Sequence, residues 1–352
     1  VVGEVQTDIV DIYEKAVVQM HPQKKEWLMK KTVNMLLVLV MVLSVGSVAF
    51  ANGQQEADVD DGTILIGHTA NNTGIDSYQT THDKVYRDTI ANTDGVDAII
   101  LDAKGDVAKQ ISQIETLIQK GVDAMTVWPV NGKAVVPAVK KAFDAGIPVI
   151  IVNSLIDESG YEYAVGFAGP NTYTEGENAA KGMIKALDGQ GDVVELMGLP
   201  GYVTAINRSD GFQDYIKANA PGITILATEP TDWNRAKATQ VMENLIVKYG
   251  DQIDGVYVAD DNVGIGGLNA LKEAGMAGDV VMTSACMFGE GYDAMEEGYI
   301  MGSVYQSPAE DARKAVETAI KAAKGEEVPF WNYFETPVVT PDNMKDFERP
   351  NF

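Results

Sequence analysis

From Thr63 onward the chain alternates short apolar runs rich in Ile and Val with stretches of helical periodicity, and that rhythm restricts it to parallel sheets covered by helices. The runs Ile64–Gly67, Ala98–Asp102, Ala124–Trp128 and Pro148–Asn153 read as strands. Helical stretches lie between them at Asp83–Asn92, Lys109–Lys120 and Lys133–Ala145; the second puts Ile111, Ile114, Leu117 and Ile118 on one face. The pattern restarts after Gly169. Helices are expected over Thr174–Leu187, Ala205–Ala218, Arg235–Lys248, Gly264–Glu273 and Gly289–Glu297, and strands over Asp192–Met197, Ile223–Thr228, Gly255–Ala259, Val280–Thr283 and Met301–Tyr305. A last helix is expected over Glu310–Lys324.

Two successive runs of this kind predict two similar Rossmann-like α/β lobes, with polar and glycine-rich strand ends facing a shared cleft. Residues 63–169 with 307–336 are expected to form the N-terminal lobe, and 170–306 with 337–352 the C-terminal lobe. No Pro-, Gly- or Ser-rich linker separates the two runs, which fits close crossovers better than independent domains.

Ahead of this rhythm, Met29 is followed by Lys30 and Lys31, an apolar run from Met35 to Leu43, and small residues ending in Ala49 and Ala51. Charged, apolar and cleavage regions in that order predict a secretory signal peptide over residues 29–51, with an acidic, flexible segment over 52–62. The protein is therefore expected in the periplasm or otherwise outside the cytoplasm, and the absence of a cysteine at the cleavage point argues against a lipid anchor. Residues 1–28 are read as an upstream extension from a misassigned start, with Met29 the true initiator.

Chemistry-bearing motifs are few. Gly67 opens no dinucleotide-binding fingerprint, a Walker loop is absent, and the three histidines, His21, His68 and His82, form no zinc or triad pattern. Either a crevice-lining or a structural role is open to His68. A single cysteine, Cys286, excludes an intrachain disulfide and a multi-cysteine metal site. Lys and Arg number 27 against 51 Asp and Glu, a formal charge of −24 that disfavours nucleic acid and anionic membranes as partners. No cofactor and no catalysis are expected; a hydrolase using Asp260 and Asp261 is the remote alternative.

Several segments, weak singly, are specific in their order and spacing. They are Ile64–Gly67 with Asn71 and Asn72, Gly121–Ala124 with Pro129, Ala145–Ile150, Gly198–Gly201 with Arg208–Phe212, Tyr257–Leu271 and Val304–Pro308. Through them the chain, from about Thr63 to Thr340, resembles the periplasmic sugar-binding proteins of ATP-driven (ABC) importers, the ribose- and galactose-binding class with the type I periplasmic binding protein fold.

The resemblance implies capture of a small neutral sugar or sugar alcohol by lobe closure, delivery to the permease membrane subunits, and a monomeric state. A ligand sensor partnered by a chemoreceptor or sensor kinase is the alternative within binding proteins. It places the family's ligand-binding asparagine on Asn72 and the aromatic positions after it on Gly74 and Ile75, so the first lobe is expected to lack its usual stacking platform. The family's Asp-Arg pair falls on Asn153 and Ser154, an arginine on Ile206 and an aspartate on Cys286. Trp233, Asp260 and Gln306 match ligand-contact positions, and Trp128 is expected to replace the missing aromatic surface, although a core role stays open for both tryptophans. Arg208 and Asp210 match the family's framework rather than its contacts. Loss of the Asp-Arg pair argues against ribose, glucose or galactose and for a less common monosaccharide or polyol.

Overall fold

The computed structural model describes residues 62–352; the expected signal peptide over 29–51, the extension over 1–28 and all but Gly62 of the acidic segment lie outside the described residues. Two six-stranded sheets organise the rest. The first holds β1 (Ile64–Ala70), β2 (Val96–Asp102), β3 (Ala124–Val127), β4 (Val149–Val152), β5 (Gly166–Gly169) and β11 (Trp331–Tyr333), in the order β11-β5-β4-β3-β1-β2 and parallel throughout. The second holds β6 (Gln190–Met197), β7 (Gly222–Pro230), β8 (Gly255–Val258), β9 (Val281–Ser284), β10 (Ile300–Val304) and β12 (Val338–Val339), in the order β12-β10-β9-β8-β6-β7; only β12 runs antiparallel.

In each sheet the first strand lies between the second and third, so the strand order reverses beside it. Crevices open at the C-terminal ends of strands at such a reversal. The chain also passes between the sheets after β5, after β10 and after β11. Helix α9 (Pro308–Ala323) therefore follows the second sheet in sequence yet packs against β1, β3, β4 and β5 of the first.

The central strands β3, β4 and β8 are buried at every position, as their unbroken apolar runs require. Helices α2 (Val107–Gln119) and α3 (Val136–Asp144) cover one face of the first sheet through Ile114, Leu117, Ala138 and Val139. Helices α4 (Thr172–Ala186) and α5 (Val203–Asn219) bury Ala179, Met183, Phe212 and Ile216 on one face of the second sheet. The opposite face is covered by α6 (Arg235–Tyr249), α7 (Asp261–Ala274) and α8 (Gly289–Glu296), with Met242, Leu268, Leu271 and Met295 buried.

Helix α1 spans Ser77–Ala91, six residues earlier than its apolar content suggests. Its buried face is Tyr78, His82, Tyr86 and Ile90, one residue every four, written mostly in side chains that read as polar. These rings pack as a core. His68 stacks on Tyr86 at 4.3 Å between centroids, and His82 meets Trp128 edge-on at 4.7 Å. His68 is thus inside β1, not on the crevice, and burial lowers its pKa to about 4.

The sequence also conceals β5. Glycine is required at Gly169, where a Cβ would stand 2.9 Å from the Asn153 backbone, so the strand carries little side-chain signal. Among the described residues no helix is long and apolar enough to cross a membrane.

Candidate functional site

A cavity of about 110 Å³ lies between the two sheets, walled by the turns that follow their strands. From the first lobe come Asn72, Asp76, Tyr78 and Gln79 after β1, Trp128 after β3 and Asn153 after β4. The second lobe supplies Tyr202, Thr204 and Arg208 after β6, Trp233 after β7, Asp260 after β8, Cys286 and Phe288 after β9, and Gln306 after β10. Convergence of strand ends on one hollow follows directly from the two strand-order reversals.

Seven of the eight residues expected from sequence line this cavity: Asn72, Trp128, Asn153, Trp233, Asp260, Cys286 and Gln306. Ser154 does not. Its hydroxyl instead faces the second lobe, where it accepts a 3.3 Å hydrogen bond from the Thr204 amide, so it joins the lobes beside the cavity.

Two of the lining residues sit in the left-handed backbone region, Asn153 at φ 60° and Trp233 at φ 59°; asparagine tolerates it, whereas for tryptophan it is strained. Trp233 is held there by packing over Gly198, whose missing side chain makes room for the indole. Its ring also meets Tyr202 edge-on at 6.1 Å.

A ring that the sequence did not point to reaches the first-lobe wall. Gly74 and Ile75 carry no ring, but α1 brings Tyr78 to the wall, edge-on to Trp128 at 6.3 Å and stacked with Phe288 at 6.5 Å. Tyr78 lies one helical turn beyond the positions that the resemblance points to. Only the early start of α1 turns it inward.

Polar side chains tie the two walls together. The Tyr202 hydroxyl accepts from Trp128 Nε1 at 2.6 Å and from Asn71 Nδ2 at 3.2 Å, and Gln306 Nε2 donates to the Tyr78 hydroxyl at 2.7 Å. Behind this wall, Asp311 Oδ2 accepts from Tyr78 at 3.0 Å and from Asn153 at 2.6 Å. A carboxylate absent from position 153 is therefore supplied from α9, across 158 residues of sequence.

Arg208, expected as framework, also reaches the cavity wall. Its guanidinium donates to Glu175 at 2.8 Å, to the Ala259 carbonyl at 2.9 Å and to Gln306 at 2.5 Å. Burial is the largest single influence and opposes its charge, but Glu175, Cys286 and Tyr257 together outweigh it and raise its pKa. Cys286 is 3% exposed, and burial holds its thiol well above the usual range, so it offers no thiolate nucleophile.

Asp260 and Asp76 are matched features of opposite lobes. Asp260 caps α7 by accepting from the Val263 amide at 2.7 Å, and Asp76 caps α1 by accepting from the Gln79 amide at 2.7 Å. Burial raises the Asp260 pKa to about 7 and the Asp76 pKa to about 6. Sequence reasoning missed Asp76. Its position, one residue ahead of a helix whose start was itself misread, was the only available signal. Among the described residues no group of three or more His, Cys, Asp or Glu could hold a metal ion.

Two α/β lobes with a cavity between their strand ends are the architecture of a protein that holds a small solute between its lobes. Comparison with known proteins agrees. The model of the periplasmic binding protein domain matches residues 66–327, and the chain belongs to that family. It is 33% identical over 264 residues to a xylitol-binding protein of Mycolicibacterium smegmatis, covering 75% of this chain and 74% of the relative. Identity to a ribose import binding protein of Escherichia coli is 32% over 235 residues, 66% of this chain and 77% of that one. Among solved structures, an ABC transporter solute-binding protein from Bacillus halodurans with bound myo-inositol superposes with a TM-score of 0.75 at 27% identity, covering 82% of this chain and 98% of that chain. The protein is an extracytoplasmic solute-binding protein of the ABC-importer class and not an enzyme.

Proposed function

We propose that the protein captures one small polyhydroxylated solute, a monosaccharide or polyol, by closing its lobes around it, and delivers it to the permease subunits of an importer. The observation that carries this reading is the interlobe cavity of about 110 Å³ with aromatic residues and buried polar groups on its walls. By this measure a single water needs roughly 10–15 Å³, so the space suits one small solute and not an oligosaccharide. Solutes of this kind are named for relatives: xylitol for the mycobacterial protein and myo-inositol for the Bacillus structure.

On this reading Trp233 and Trp128 face the solute's carbon framework, while Asn72, Asn153, Asp260 and Gln306 bond its hydroxyls and Cys286 fills the wall as a small apolar group. Lobes 63–169 with 307–336 and 170–306 with 337–352 rotate about the three crossings between the sheets. Residues 29–51 direct export and are removed after Ala51, and the protein works as a monomer. Presentation of the closed form to a chemoreceptor or sensor kinase would use the same pocket.

The test is mass spectrometry of small molecules released from gently purified protein, followed by calorimetric titration of each. Binding of a monosaccharide or polyol is expected. A released solute of another class that rebinds, with every sugar and polyol silent, would overturn the reading.

A further inference from the structure

The cavity wall is unbalanced in charge and in hydrogen-bonding capacity. Its one cation, Arg208, is already paired with Glu175 and bonded to Gln306, so it is not a free counter-charge for the other acids. Asp76 and Asp260 face the cavity from opposite lobes, and neither forms an ion pair among the described residues. Asp260 is only 5% exposed, and its carboxyl is held by backbone amides of its own helix turn, Val263 at 2.7 Å among them, with no ion pair among the described residues.

The donors nearby are mostly spent within the protein. Trp128 Nε1 serves Tyr202, Gln306 Nε2 serves Tyr78, and Asn153 Nδ2 serves Asp311. Left over on the wall are the Thr204 hydroxyl, which has no partner among the described residues, and the carboxyl groups of Asp76 and Asp260, which share the cavity with Trp128 and Trp233; aromatic rings attract cations as well as apolar carbon. Two carboxylates brought together by lobe closure repel unless a positive group separates them, and Asp76 already disfavours charge on Asp260 across the cleft.

We propose that the solute carries a protonated amino group on its polyol framework, held between Asp76 of the first lobe and Asp260 of the second. This rests on the reading of the cavity as a polyol site and deepens it: the hydroxylated framework is kept, and one hydroxyl position becomes an ammonium. An ammonium suits the site because it donates up to three hydrogen bonds, accepts none and favours the charged form of both acids, whereas a hydroxyl donates one and brings no positive charge.

The experiment titrates the full-length exported protein with matched pairs of probes: myo-inositol against an amino-deoxy-inositol, D-galactose against D-galactosamine, and xylitol against 1-amino-1-deoxyxylitol. Near neutral pH the amine is expected to bind roughly tenfold more tightly than its hydroxyl partner in the pair that fits. Asp260→Asn and Asp76→Asn should each reduce that ratio at least severalfold, and asparagine is as good a helix cap as aspartate, so both variants keep the fold. N-acetylation of the amine, which removes its charge, should abolish the preference.

The inference is overturned if the hydroxyl partner binds equally or better in every pair that binds, or if both asparagine variants keep the full ratio. Those results would leave the polyol reading standing. Silence from all six probes, together with release of a solute that is neither sugar nor polyol, would remove both.

Discussion

The two lobes share a topology but build their walls from different materials. Behind the first wall lies a stack of His68, His82 and Tyr86, held by ring contacts and by Thr126, whose hydroxyl lies 2.7 Å from His68 Nδ1 and 2.9 Å from the Tyr86 hydroxyl, with one carboxyl, Asp311, bonded to Tyr78 beside it. Behind the second lies buried charge: Arg208 with Glu175, and Glu195 bonded by Gln213 at 2.8 Å and Thr228 at 2.9 Å. The difference shows how one fold fixes pocket residues by two physical routes. Rings hold position through shape, whereas ions hold it only while every partner is present.

That contrast can be broken by mutation, and the charged wall should fail hardest. Arg208→Ala leaves Glu175 buried without its partner and should cost about 3–5 kcal/mol of stability. Thermal or urea unfolding measures it, and a loss below about 1 kcal/mol would mean that the pair is solvated in solution.

The contact between the walls should be next in size. Tyr202→Phe removes the hydroxyl that accepts from Trp128 and Asn71, leaving two donors unserved when the lobes close. Binding should weaken by about 1–3 kcal/mol, chiefly through faster release, with the unfolding midpoint little changed. Unchanged dissociation kinetics would place Tyr202 outside the closing contact.

His68 and the buried acids around the cavity should respond oppositely to pH. Burial depresses the folded pKa of His68 from 6.5 to about 4, so its neutral form contributes stability that is fully present above pH 6.5 and is lost as pH falls toward 4. Asp260, Asp261 and Asp311 are raised by burial to about 7, so their contribution is fully present below their ordinary 3.8 and is lost as pH rises through 7. In the ligand-free protein, His68→Asn should flatten the acid side of the stability profile and Asp260→Asn the neutral side. Identical changes from both would dissolve the distinction.

The smallest effect is expected at Cys286. Its thiol is a buried wall element, and Cys286→Ser should fold, with affinity altered by about 1 kcal/mol or less. Any substrate turnover that this change abolished would contradict the non-catalytic account.

The sequence made the second lobe's pocket more legible than the first's. Trp233, Asp260 and Gln306 sit at strand ends marked by unmistakable apolar runs, so their positions could be counted from β7, β8 and β10. Asp76 and Tyr78 could not be found that way, because α1 buries tyrosine and histidine and its true start is hidden. Arg208 was legible as framework but not as wall, since a residue can bond Glu175 and still face the cavity. Glycine-rich β5 and the short strands β11 and β12 left no periodicity to read; neighbouring strands define them.

The central claim, that one small solute is held in the closed cleft by residues of both lobes, is tested most directly with the solute released from the protein itself. It should be titrated into the wild type, Trp233→Ala and Asp260→Ala, with circular dichroism confirming that each is folded. The account predicts that the Asp260→Ala change costs about 1–3 kcal/mol of binding, with a further loss at Trp233→Ala from the missing ring face. Unchanged affinity in both variants would contradict it, because a cleft built from these walls cannot be indifferent to losing either.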